Sequence, residues 1–240
     1  MRRVVLCIIL AILLIVFVIM LIPLLKHNEY ISYGDSITYG DGVICSDGSK
    51  CIGYQKEVME LLESDDYDNV SKCGITMAAN EDNQGGLVNM IRETDNKHAK
   101  VCTIAIGTND LYFNVALGEL QTDDSLYDDR TFYGAYQNAI EYIMQENPDM
   151  LIVLVTPLQR DSLGFDNYTA NDKGYTLIDY VEAVKNIGNY YNLPVCDLYN
   201  NSGITLENIT EYTFDGLHPN NDGYRLMGIQ IANTIKEAMG

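Results

Sequence analysis

Three short stretches of this chain carry residues that could together break an ester bond. They are Gly34-Asp35-Ser36-Ile37-Thr38, Gly107-Thr108-Asn109-Asp110 and Asp215-Gly216-Leu217-His218-Pro219-Asn220. A serine hydroxyl is inert at its free pKa. It attacks a carbonyl only when a base lies within hydrogen-bond reach and a third group orients that base. The chain has three histidines. His27 adjoins the N-terminal apolar run, and His98 sits in the polar run 96–100, ahead of a strand candidate. His218 is therefore the base available to Ser36, and Asp215, three residues earlier, can accept from its imidazole. Such a base must be neutral, so the rate is expected to rise through about pH 6.5, where histidine ordinarily titrates. The developing oxyanion needs aimed donors: the Ser36 and Gly74 backbone N–H groups and the Asn109 side-chain amide are the candidates, with Gly85-Gly86 as the alternative to Gly74.

Elements that end at one place must deliver these residues. Short apolar runs at 29–33, 69–73, 100–106, 150–156 and 193–197 read as strands. They alternate with helical stripes over 53–63, 131–146, 176–191 and 222–239. That alternation predicts an α/β fold with a five-stranded parallel sheet. Ligands of open parallel sheets bind beyond the carboxyl ends of the strands. Ser36, Gly74 and Asn109 each follow a strand directly, and the Asp215/His218 pair lies between the last strand and the last helix. Turn chemistry explains each loop alone, since Gly, Asp and Ser are common turn formers. It does not explain the set on one edge.

Composition bounds the rest. Residues 4–25 are uncharged and follow Arg2 and Arg3. That is long enough to cross a hydrocarbon core as a helix, and no A-x-A-like cleavage site follows. The expectation is an uncleaved signal anchor over 1–27, N-terminus inside, with an extracytoplasmic domain over 28–240. All 34 acidic residues but only 12 of the 15 basic ones follow position 26, within a formal net charge of −19. With no basic patch, nucleic acid is excluded as a partner. Of six cysteines, Cys45 and Cys51 bracket a short loop that an oxidising exterior could close into a disulfide. Cys73, Cys102 and Cys196 sit in apolar runs and read as buried small hydrophobes. No cysteine spacing matches a metal site, and the acidic stretch 122–129 lacks the order of a calcium loop. Many of the 18 tyrosines, Tyr136 among them, fall on core faces.

The three blocks "GDSIT", "GTND" and "DGLHPN", with a looser "NVSKCGIT" at 69–76, resemble the SGNH (GDSL-type) hydrolases across the whole domain after the apolar run. The resemblance implies a three-layer α/β/α fold of flavodoxin-like character and ester hydrolysis without metal or cofactor. It also implies Ser36, Gly74, Asn109 and His218 in the four positions for which the family is named. Strand one begins within a few residues of the apolar run, so its carboxyl end and Ser36 would face away from a bilayer. The loops 80–84 and 160–162 read as polar, and Leu158, Leu163 and Phe165 are the few apolar candidates near that edge. The expected substrate is a small acyl ester, acetyl first, on a glycan or cell-wall alcohol. A lipase or lysophospholipase, or a silent binding module on the same fold, are the alternatives.

Overall fold

The computed structural model describes residues 29–40, 53–64, 66–80, 85–123 and 126–240. The apolar run 4–25 and the proposed Cys45–Cys51 pair lie outside them. Among the described residues, no helix is long and apolar enough to cross a membrane.

Five strands form the predicted parallel sheet: β1 Tyr30–Gly34, β2 Tyr67–Ser71, β3 Val101–Ala105, β4 Leu151–Val155 and, after a two-stranded hairpin (β5 Asp161–Ser162, β6 Phe165–Asp166), β7 Val195–Cys196. Their order is β2-β1-β3-β4-β7. Gly34, Ser71, Ala105 and Val155 lie level at one edge, so every loop leaving the sheet there starts from one height.

Alternate residues of β1, β3 and β4 enter two separate cores. Ile31, Tyr33, Cys102, Ile104, Ile152 and Leu154 pack with helices α3 Gly86–Glu93, α5 Phe132–Glu146 and α6 Leu177–Tyr191. Tyr30, Val101, Val153 and Val155 pack on the other face, with α2 Gln55–Leu62 and α9 Asn221–Met239. Period-two alternation in strands covered on both sides produces this three-layer arrangement. Two polar pairs lie inside it: Tyr30 Oη meets Thr103 Oγ1 at 2.7 Å, and Gln55 Nε2 donates to Ser32 Oγ at 3.2 Å. Helix starts follow their caps. Thr131 accepts from the Gly134 N–H, Asp179 accepts from the Thr176 N–H at 2.7 Å, and Asn220 accepts from the Gly223 N–H at 3.0 Å. Each such cap is worth about 1 kcal/mol.

Four expectations are corrected. β2 starts and ends two residues early, because the Lys72 N–H already closes onto the Gly34 carbonyl at the sheet's edge. The chain beyond it has left the sheet, so Cys73 is exposed, while Cys102 and Cys196 are buried as expected. Strand five is reduced to two residues, since only Leu154 and Val155 of β4 extend beside it. Helix α3 was not anticipated, although Leu87, Val88 and Ile91 are all buried along it.

Candidate active site

The opening turn is tightly built. Beyond β1 the chain enters the short helix α1, Ser36–Tyr39, capped by the Asp35 side chain, which accepts from the Ile37 N–H at 2.9 Å. The turn folds back closely enough that a Cβ on Gly34 would lie 2.0 Å from Thr38 Oγ1 and 2.5 Å from the Ala105 carbonyl oxygen. Only glycine fits there. Ser36 therefore opens a helix, where first-turn N–H groups have no intrahelical acceptor.

His218 reaches Ser36 from a turn between α8 (Ile209–Tyr212, preceded by α7 Leu198–Asn201) and α9. The Phe214 N–H bonds the His218 carbonyl at 2.9 Å, which closes that turn. Ser36 Oγ lies 2.9 Å from His218 Nε2, and His218 Nδ1 lies 2.8 Å from Asp215 Oδ2. With Nδ1–H donating to the carboxylate, Nε2 is left to accept the serine proton. Asp215 Oδ1 also accepts the Leu217 and His218 backbone N–H groups at 3.1 and 2.8 Å. Partial burial pulls the Asp215 carboxyl upward, but these bonds and the adjacent imidazole outweigh it and hold it below the ordinary carboxylate range.

Asn109 lies on the short helix α4, Thr108–Tyr112, directly after β3. Its side-chain amide donates to the Ile75 carbonyl at 3.0 Å, which uses one of its two N–H donors. The neighbouring Asp110 is buried and turns inward. Both its oxygens accept the Met77 N–H at 3.0 Å, and Oδ1 meets the Ala78 N–H at 3.4 Å. Burial pushes Asp110 up to about 7 despite those bonds. The "GTND" block thus holds the 74–78 loop in place with two adjacent side chains.

Between the two candidate glycines, the structure brings Gly74 to Ser36. Ser36, Gly74, Asn109, Asp215 and His218 share the wall of one open pocket of about 740 Å³. Gly85 and Gly86 instead line a separate depression beside α3. There the Leu87 and Val88 N–H groups bond the Thr76 and Met77 carbonyls, so this segment braces the Gly74 loop from behind.

The rest of the pocket wall is apolar: Tyr39, Tyr112, Phe113, Leu163, Phe214 and Leu217, with the exposed Cys73 beside Gly74. This corrects the picture of a polar edge. Arg160, read as part of a polar surface loop, is fully buried. Leu158 is buried in the second core, and Phe165 packs edge-on against Tyr112 at 5.8 Å. Leu163 reaches the pocket because it sits at the tip of the β5–β6 hairpin, where it and Gly164 both take positive φ. Sequence reasoning missed these aromatics because they come from three segments distant in the chain, around Tyr39, Tyr112-Phe113 and Phe214. Only their proximity to "GTND" and "DGLHPN" offered a signal. Among the described residues no group of side chains could hold a metal ion.

A parallel α/β/α fold with a serine, histidine and aspartate in hydrogen-bonded series at its carboxyl edge has the arrangement of the serine hydrolases as a class. Residues 32–226 match the family model described as GDSL-like Lipase/Acylhydrolase family, and the chain belongs to that family. Similar solved structures agree. One, 30% identical, covers 87% of this chain and 95% of its own at a TM-score of 0.76. A possible lipase from Chitinophaga pinensis is 26% identical over 88% of this chain and 98% of its own, with a TM-score of 0.72. The lipase/acylhydrolase from Enterococcus faecalis shares the fold at 22% identity and a TM-score of 0.59, covering 88% and 97% of the two chains. No curated protein matches the sequence.

Proposed function

We propose that Ser36 is the nucleophile of a carboxylic ester hydrolase, His218 its general base and Asp215 the group that orients the imidazole. The observation that carries this reading is the unbroken series from Ser36 Oγ through His218 to Asp215, with links of 2.9 and 2.8 Å. In the acylation step His218 Nε2 takes the hydroxyl proton as Ser36 Oγ bonds the carbonyl carbon. The imidazolium then returns that proton to the departing alcohol, and water repeats the sequence on the acyl-serine. The Ser36 and Gly74 N–H groups and the remaining Asn109 N–H are the proposed oxyanion donors.

The substrate is proposed to be an uncharged ester. Among the described residues the pocket wall holds no lysine or arginine, and the chain's net charge of −19 opposes anionic ligands. Two acyl readings follow. A small acyl, acetyl first, on a glycan or cell-wall alcohol suits a membrane-anchored, extracytoplasmic domain whose β1 begins at Tyr30 and whose site lies at the far end of that strand. The exposed faces of Tyr39, Tyr112 and Phe214 would then stack on sugar rings. The second reading, a longer apolar acyl chain laid against Leu163 and the same aromatics, is favoured by the apolar wall itself. Hydrolysis of acetyl, butyryl, octanoyl and palmitoyl esters by the purified chain separates them. A kcat/KM that falls from acetyl to octanoyl supports the first, and one that rises supports the second. Activity undiminished in Ser36→Ala would overturn the mechanism under either.

A further inference from the structure

The loop after β4 contributes nothing to the Ser36–His218–Asp215 series, yet it encloses Arg160, the largest fully buried side chain described, at 1% exposed. A guanidinium keeps its charge at any physiological pH, and burying a charge is costly unless polar atoms receive it. Burial lowers the Arg160 pKa from its ordinary value, while the fields of Asp35 and Asp215 oppose that shift. What receives the guanidinium here is mostly neutral oxygen. Nη1 donates to the Thr108 carbonyl at 3.0 Å and to Thr108 Oγ1 at 2.8 Å, and Nη2 donates to the Ser162 carbonyl at 3.0 Å. Nε is buried with no partner, and the ring of Phe165 lies 5.9 Å away.

The guanidinium's contacts reach two parts of the site, and the backbone of the next residue reaches a third. Thr108 immediately precedes Asn109. Ser162 opens the hairpin that carries Leu163 onto the pocket wall. The residue after Arg160, Asp161, donates its N–H to the Gly216 carbonyl at 2.9 Å, between Asp215 and His218. That contact is so close that a Cβ on Gly216 would lie 2.0 Å from the Asp161 carbonyl oxygen. Arg160 itself does not line the pocket. A planar fork with fixed donor directions is suited to hold such loops at set distances, which a flexible ammonium is not.

We propose that Arg160 is a positioning residue whose guanidinium fork ties the Asn109 helix to the hairpin that carries Leu163, while the backbone of its neighbour Asp161 joins that hairpin to the Asp215–His218 turn. The proposal rests on the ester-hydrolase reading above. Its consequence is that loosening the fork slows acylation of Ser36 without weakening ground-state binding of a short ester, which is too small to meet Leu163.

The test uses Arg160→Lys, Thr108→Val and their combination in the full chain, read by a fluorophosphonate probe and by acetyl-ester kinetics. The labelling end point counts folded sites; the labelling rate reports how well the site is organised. For Arg160→Lys the end point should stay stoichiometric, while the labelling rate and kcat fall about 10–100-fold, as a misplacement near 1 Å would produce. KM should stay within about twofold, because the lost interaction serves positioning. Thr108→Val, which loses one arm of the same link, should show a smaller loss of the same sign. The double variant should be no slower than Arg160→Lys alone, since both changes break one connection. Wild-type rates at full end point in both single variants, or losses that multiply in the double, would overturn the proposal by showing a merely structural arginine. Should Arg160→Lys not fold, Thr108→Val decides by the same criteria. A wild type that hydrolyses acetyl esters but carries no label at Ser36 overturns the assignment of Ser36 as nucleophile, and this proposal with it.

Discussion

Asp215 and Asp110 are the same residue type in the same kind of hydrogen-bonded setting, yet their environments push their pKa values in opposite directions. Each accepts two backbone N–H groups, Leu217 and His218 for the first, Met77 and Ala78 for the second. Asp215 is half exposed, with His218 beside it, and is held below the ordinary range. Asp110 is fully enclosed with no cation against it, and burial lifts it to about 7. The difference is solvation. At the rim, water and the imidazole sustain an anion that can orient a base; one layer behind, an identical carboxyl serves as a strut for the Gly74 loop. The reactive edge and its supporting layer should therefore fail in different ways.

The largest effects belong to the edge. Ser36→Ala and His218→Ala should each lower kcat by about 10⁴–10⁶-fold, and Asp215→Asn by about 10²–10⁴-fold, since these groups act as a unit but not equally. All three should leave the urea midpoint nearly unchanged, within about 0.5 kcal/mol, because these side chains are partly exposed. Retained labelling of Ser36→Ala by the fluorophosphonate would remove the nucleophile assignment.

In the supporting layer the order reverses. Asp110→Ala orphans two buried N–H groups and should cost about 2–4 kcal/mol in urea unfolding. A pH dependence sharpens this. The folded carboxyls of Asp35, raised by burial to about 6, and of Asp110, at about 7, stay protonated above the ordinary 3.8 at which the unfolded chain has lost those protons. Their stabilising contribution is complete below about pH 4 and is lost as pH rises through 6 and 7. The thermal midpoint should accordingly fall between pH 5 and pH 8, and Asp110→Asn should flatten that decline. A decline of equal size in Asp110→Asn would mean that this carboxyl is not the one titrating.

Leu163 mixes the two behaviours. It holds φ at 56°, unfavourable for a leucine, at a hairpin tip where Asn-Gly is the preferred pair. Leu163→Asn should stabilise the fold by about 0.5–1 kcal/mol. It should also raise KM for octanoyl esters more than for acetyl ones. An unchanged ratio would take Leu163 out of the acyl wall.

The smallest effect compares thiols. Iodoacetamide should modify Cys73, which is exposed on the pocket wall, and spare Cys102 and Cys196, whose thiols burial pushes upward, Cys196 to about 11. Peptide mapping reads the sites, and ester hydrolysis should drop a few-fold at most, because the adduct narrows the pocket without touching the proton path. Modification of Cys102 at the same rate would contradict the enclosed core.

Much of this was legible in the chain. The apolar runs around β1, β3 and β4 became buried parallel strands, because a strand covered on both faces has to be apolar nearly throughout; the edge strand β2 is polar and partly exposed. Helical stripes such as Ile140 and Ile143 met the sheet as their period required. Ser36, His218 and Asp215 could be singled out because ester hydrolysis calls for particular residue types, and the parallel sheet sends its strand ends to one edge. α3 escaped because its Gly-Gly start looks like a loop, and the tertiary contacts of its first turn with Thr76 and Met77 are what allow it to form.

Sequence by itself thus determined the α/β fold class and the family and singled out Ser36, His218 and Asp215, since periodicity and motif spacing are local properties. The tertiary structure alone decided that Gly74 rather than Gly85-Gly86 faces Ser36, that Cys73 is exposed and that aromatics from distant loops line the pocket. It also decided that Asp110 is enclosed and that Arg160 is a buried strut instead of a surface charge. Each of these is a matter of burial, and burial depends on which distant segments converge on a side chain. Nothing in Gln159-Arg160-Asp161 announces that Thr108, Ser162 and Gly216 will close around it. A long polar side chain in a loop sees water in most folds, and here it does not because Thr108, Ser162 and Phe165 enclose it.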